Sequence, residues 1–298
     1  MAVIEVRDLH KRYGDIHAVN GVSLSIEEGE VFALLGPNGA GKSTTIEILE
    51  GHRERTSGSV SVLGLDPADA GREYRNRMGI VLQSSGIEDE LSVREALTLY
   101  SSVYSDPRDA DDVLALVGLS EKADERVKQL SGGQQRRIDL ALGIIGNPDV
   151  VFLDEPTTGF DPAARRKSWD LVAGLRSLGT TILLTTHYMD EAQHLADRVA
   201  VIVRGEIVAE GSPADLTDRS GETTISFRLP HGVEAGSLPL AAITRDGEAV
   251  SLRSATPTKT LHELTGWALA NQVELLDLSA TRPTLEDVYL ELAEGDPS

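Results

Sequence analysis

The chain has 298 residues, no cysteine, and 48 acidic against 28 basic side chains, a formal net charge of −20. This length holds one large domain with an appendage, or two domains, and the missing thiols exclude disulfides, thiolate metal sites and cysteine nucleophiles, as suits a cytosolic protein. The acidity argues against a nucleic-acid partner. It is also spread out, −8 over residues 211–298 and −12 before them, as a solvated surface rather than a tail.

The start of the chain, Met1 to Asp8, lacks the basic and apolar regions of a signal peptide, and no apolar run reaches the ~18–20 residues that span a bilayer. Membrane contact is therefore expected only through a partner. Residues 2–7 alternate as a strand, Gly14-Asp15 marks a turn, and residues 22–26 form a second strand. Tyr13 lies between them, either an ordinary aromatic at a strand end or a stacking platform for a base.

An apolar strand at 31–35 leads into Gly36-Pro37-Asn38-Gly39-Ala40-Gly41-Lys42-Ser43, and Thr44 continues into a helix. This is a complete G-x-x-x-x-G-K-S phosphate loop in strand–loop–helix context. Its glycines let successive N–H groups face one point, at a helix N-terminus that adds partial positive charge. Lys42 is expected to reach the β- and γ-phosphates of a bound nucleoside triphosphate, and Ser43 to hold Mg²⁺.

Further along, a short strand at 80–82 ends in Gln83, either polar surface or a group that ligates Mg²⁺ and orients water. Residues 91–148 read mainly as helices at 92–104, 110–117 and 134–146, and Ser92 with Glu95 forms a capping box. Between them, Leu130-Ser131-Gly132-Gly133-Gln134 precedes a helix. A hydroxyl, two glycines and a helix N-terminus make a second anion nest. Two phosphate-binding elements so far apart in one chain suggest sites shared between two copies.

The apolar run 149–153 ends in Asp154 and Glu155, the pattern of a buried parallel strand with functional groups at its C-terminal end. Asp154 is expected to bind Mg²⁺, and Glu155 to polarise the attacking water. A strand at 181–185 leads to His187, which is either structural or a sensor of the γ-phosphate. Strands at 200–203 and 206–209 close this part as a hairpin around Arg204-Gly205. Beyond residue 220 come strands at 223–229, 249–253 and 273–278, a helix at 258–270, and a last helix opened by Thr284 to Asp287 behind Pro283.

Over residues 3–218 these motifs resemble the nucleotide-binding subunits of ABC transporters. Leu130 to Gln134 matches that family's signature, Tyr13 the adenine-stacking aromatic, Gln83 the Q-loop, Asp154 and Glu155 the Walker B acids, and His187 the switch histidine. Gly159-Phe160-Asp161-Pro162 resembles the D-loop, with Phe160 where Leu is usual. The closing 282–290 segment is similar to the tail of the drug- and lipid-export branch, including daunorubicin-resistance-type ATPases.

The resemblance implies an α/β P-loop NTPase of the ABC ATPase type over 1–218, a RecA-like core with a helical signature subdomain at about 84–148. A small α+β accessory domain follows at 220–298. It further implies an ATPase with ATP and Mg²⁺ as cofactors, at the cytoplasmic face of the membrane. Two copies form a homodimer that sandwiches ATP between the phosphate loop of one and Ser131 to Gln134 of the other, with Asp161 at the shared site. A separate transmembrane permease would dock its coupling helix near 83–90 and carry the exported substrate. Import, or a soluble role on ribosomes or DNA, are the alternatives.

Overall fold

The structure, a computed structural model, describes residues 2–69, 71–81, 86–218, 222–230, 233, 235–240, 244–246 and 249–294. It divides into two compact units, Met1–Pro213 and Ala214–Ser298.

The first unit opens with a long antiparallel hairpin, β1 (Ala2–Tyr13) and β2 (Ile16–Glu27). Both strands are longer than the alternation of the sequence indicates. Register shifts between Val6 and His10 break the alternation, where Asp8 takes a left-handed φ of 49°. After β3 (Val31–Leu35) and α1 (Lys42–Leu49), β4 (Ser57–Val62) pairs with β1 to give the three-stranded sheet β2-β1-β4. Next come α2 (Arg72–Arg77), β5 (Met78–Val81), α3 (Val93–Ser101), α4 (Ala110–Leu116) and α5 (Gly132–Ile144). The capping box expected at Ser92 and Glu95 opens α3.

The chain then alternates as β6 (Val150–Asp154), α6 (Pro162–Ser177), β7 (Thr181–Thr186), α7 (Met189–Leu195), β8 (Arg198–Val203) and β9 (Glu206–Gly211). The resulting six-stranded sheet has the order β5-β6-β7-β3-β8-β9 and is parallel except for β9. Its central strand β3 is buried along its whole length, as two covered faces require. The core lies between the two sheets and α1, joining Ile4, Leu24 and Ile26 to Phe32, Leu34, Ile46 and Phe152. Each such side chain contributes about 1.5–3 kcal/mol on burial.

Helix α5 packs on β5 with unusual intimacy. A Cβ added at Gly79 would lie 1.9 Å from the Gly143 carbonyl oxygen, so helix and strand backbones touch directly. No larger residue fits there without moving one of the two elements.

The second unit begins within α8 (Pro213–Asp218) and holds β10 (Thr223–Arg228), β11 (Thr244–Asp246), β12 (Ala249–Ser254), α9 (Pro257–Ala270), β13 (Leu276–Thr281) and α10 (Leu285–Glu294). Its four-stranded sheet, β11-β12-β10-β13, encloses a separate core of Ile225, Phe227, Val250, Leu252 and Leu264. Thr284 and Asp287 exchange the capping bonds expected from sequence, at 2.7 and 3.2 Å. Strand β13 starts three residues later than the sequence suggests. The Val273 N–H still bonds the Ala268 carbonyl, and Gln272 takes a φ of 54°, so residues up to 275 belong to the exit of α9. No helix among the described residues is long and apolar enough to cross a membrane.

Candidate functional site

The glycine-rich loop between β3 and α1 sits at the C-terminal end of the central strand, the position where open parallel sheets bind ligands. Pro37, Asn38 and Gly39 are exposed, whereas Gly36, Ala40 and Gly41 are buried. Gly41 adopts a φ of 104°, and a Cβ there would meet the Ala18 carbonyl at 2.3 Å, so only glycine fits. The loop is backed by the β8–β9 turn, whose Gly205 N–H donates to the Ala40 carbonyl at 2.9 Å. A cleft of about 350 Å³ lies over the loop, lined by Asn38, Gly39, Lys42, Ser43, Thr44 and Glu155 among others.

Lys42 is the first residue of α1 and is buried. Its Nζ donates to the carbonyls of Gly36 and Pro37 at 2.9 and 3.1 Å and stands 3.3 Å from Glu155 Oε1. Ser43 Oγ donates to Asp154 Oδ1 at 3.3 Å, joining the start of α1 to the end of β6. Thr185, next to Asp154 on the neighbouring strand β7, donates its hydroxyl to the same oxygen. It also accepts the Glu155 backbone N–H at 3.0 Å.

Glu155 follows β6 in the left-handed region, with φ at 45°. For a residue with a side chain this is a strained conformation, costing on the order of 1–3 kcal/mol, and such strain concentrates at functional sites. Its carboxylate accepts from Thr158 Oγ1 at 2.9 Å and lies 3.2 Å from His187 Nδ1. Burial pushes the carboxyl up, but the bonds from Thr158 and His187 and the Lys42 charge outweigh it and hold it below its ordinary value. Glu155 is thus an ionised, preorganised carboxylate at the mouth of the phosphate loop.

The oxygens of Ser43 and Asp154 fit Mg²⁺, a hard cation that binds through one or two carboxylates plus substrate phosphates. Among the described residues no cluster of three or more His, Cys, Asp or Glu offers a different metal site. Gln83 lies outside the described residues. Tyr13, the last residue of β1, is 40% exposed, with Lys11 Nζ 5.1 Å and the Arg53 guanidinium 5.4 Å from its ring centre.

Ser131 caps α5 through a reciprocal box with Gln134, and Ser131, Gly132 and Gly133 are exposed. They do not line the cleft over the phosphate loop. Gly132 instead lines a second cleft of about 440 Å³ with Arg136, Glu155, Thr158 and Phe160. Asp161 accepts the Ala164 N–H at 2.9 Å and so caps α6. The structure therefore brings Lys42, Ser43, Asp154, Glu155 and His187 together, while Gly132 of the signature motif borders the neighbouring cleft, which shares Glu155. Sequence reasoning missed Thr158 and Thr185, because a threonine beside or within a buried strand carries no pattern of its own.

The ABC transporter family matches residues 19–158, and the C-terminal domain family of ABC transporter domain-containing-like proteins matches residues 223–284. The chain is 37% identical to a daunorubicin resistance ATP-binding protein of Streptomyces coeruleorubidus, over 98% of this chain and 96% of that protein. It is 39% identical to the Nod factor export ATP-binding protein I of Rhizobium meliloti, over 97% and 87% of the two chains. Among solved structures, an ATP-binding cassette of an ABC transporter in its ADP conformation superposes with a TM-score of 0.64 at 26% identity, covering 71% of this chain and 91% of that one. A dimeric cassette in a post-hydrolysis state, bound to ADP and Pi, gives 0.62 at 27% identity, covering 70% and 98%.

Proposed function

Because this chain belongs to the ATP-binding proteins of ABC transporters, a family of ATPases, we propose that it powers export of a drug-like or lipid-like substrate through a separate transmembrane permease, from the cytoplasmic face of the membrane. The observation that carries the hydrolytic part is the convergence of Lys42, Ser43, Asp154, Glu155 and His187 on adjoining strand ends. The export direction rests on similarity along nearly the whole chain to proteins of daunorubicin resistance and Nod factor export.

In this reading the N–H groups of Gly39 to Ser43 and the Lys42 ammonium bind the phosphates of ATP. Ser43 and Asp154 hold Mg²⁺, which supplies charge neutralisation at the phosphate oxygens. Glu155 accepts a hydrogen bond from water and orients it for attack, and His187, 3.2 Å from the same carboxylate, senses the γ-phosphate. Tyr13 presents an exposed ring to the adenine. The exposed N-terminus of α5 is positioned to complete the ATP site of a second copy, with Asp161 at the same contact, through a two-fold, self-complementary interface.

Affinity purification from detergent-solubilised native membranes tests the proposal. Recovery of a polytopic protein without its own ATP cassette, stable to a salt wash, is expected. Recovery of ribosomes or DNA, with nothing from the membrane, would sink the transport reading. We further infer that residues 220–298 form an accessory domain dispensable for nucleotide binding, because the buried cluster behind the phosphate loop is built from residues between Val3 and Ile207. Deleting them should leave ATP affinity within about twofold while weakening dimerisation or permease docking. A folded truncation that no longer binds ATP refutes that boundary.

A further inference from the structure

Glu191 lies in the first turn of α7, four positions after His187, and is wholly buried. A buried carboxyl is costly unless its oxygens are used, and here one oxygen is used twice. Oε1 accepts from Thr157 Oγ1 at 2.8 Å and from Trp169 Nε1 at 3.2 Å. Burial pushes this carboxyl above its ordinary value, against the opposing pull of hydrogen bonds from Thr186, Thr157 and Trp169 and of the Arg165 charge. Such a group weakens the fold unless its geometry serves something else.

What it serves follows from the three elements it joins. Thr157, itself buried, is two residues after Glu155 on the segment leaving β6. Trp169 belongs to α6. Glu191 stands on the helix that follows His187, whose Nδ1 is 3.2 Å from Glu155. The Thr157–Glu191 bond thus closes a ring: Glu155 to His187 through their 3.2 Å contact, His187 to Glu191 along α7, Glu191 to Thr157 by hydrogen bond, and Thr157 back to Glu155 along the chain.

We propose that Glu191 is a positioning residue for ATP hydrolysis, holding the strained Glu155 and His187 at fixed separation by clamping Thr157 to α7. This rests on the assignment of Glu155 as the carboxylate that orients the attacking water. The bond to Trp169 is the internal control, because it ties Glu191 to α6 and bypasses the ring.

Thr157→Val removes the hydroxyl at nearly constant volume. It should lower kcat about tenfold to a hundredfold, with ATP affinity and KM within about threefold, since misplacement of a reacting group falls on kcat. Glu191→Ala should do the same and add a loss of Tm, Glu191→Gln should recover part of the turnover, and the Thr157→Val/Glu191→Ala double variant should be no slower than the worse single one. Trp169→Phe should lower Tm by about 2–4 °C yet keep kcat.

A Thr157→Val enzyme with unchanged kcat overturns the proposal, and so does a Trp169→Phe enzyme that loses turnover equally, because the effect is then general loosening. If Glu191→Ala does not fold, Thr157→Val and Trp169→Phe decide alone. Glu155→Gln, measured alongside, separates the two ideas. Full turnover in that variant removes the underlying assignment, whereas loss in it with none in Thr157→Val removes the clamp alone.

Discussion

Glu155→Gln is expected to lower ATP turnover about 10²- to 10⁴-fold while nucleotide binding persists. The substitution keeps the size of the side chain and an acceptor for Thr158, but it removes the negative charge that faces Lys42 and His187. The wild-type carboxyl, held below its ordinary value of 4.5, is ionised throughout the neutral range. Its contribution to catalysis is therefore present at neutral pH and lost only as the pH falls through that depressed value. A variant that binds ATP and cannot cleave it should accumulate as a closed dimer, visible by light scattering with Mg²⁺ and ATP. Wild-type turnover in the purified variant would show that another group activates the water.

Lys42→Ala should act one step earlier and weaken ATP binding by roughly 10- to 100-fold, the worth of a charge-assisted phosphate contact of about 1.5–3 kcal/mol. In the structure the ammonium is fully engaged, by two loop carbonyls and by Glu155. Removing it also leaves Glu155 with one cation fewer, so its carboxyl pKa should rise in the variant. Titration with a fluorescent ATP analogue reads the affinity directly, and unchanged binding would contradict the role given to Lys42.

Much of this site was legible in the sequence, for a physical reason. A phosphate loop, a carboxylate pair after a buried strand and a serine–glycine helix start each work through contiguous residues, so their chemistry forces a spacing on the chain. The hairpin β1–β2 was legible only in part, because the shift at Asp8 reverses which alternate residues face inward. Contacts across long separations left no trace at all. Glu191 meets Thr157 across 34 positions, and Arg136 donates to the Pro156 carbonyl across 20. A buried glutamate on an amphipathic helix reads as a surface residue until the fold closes around it.

The backbone contact between Gly79 and Gly143 has a mechanical meaning. It pins the far end of α5 to the central sheet, while Ser131 caps the opposite end. Over the twelve residues between Ser131 and Gly143 the helix is an arm of about 18 Å, so a tilt of about 10° about the pin carries the signature motif by about 3 Å. Arg136 rides on the same arm, 3.0 Å from the carbonyl of Pro156, the residue after Glu155. The same tilt moves it by about 2 Å, more than a hydrogen bond can absorb. The arm is therefore linked to the segment that carries its own chain's Glu155, and in the proposed dimer, where its tip would meet the nucleotide of the second copy, gripping one ATP would load the opposite hydrolytic centre.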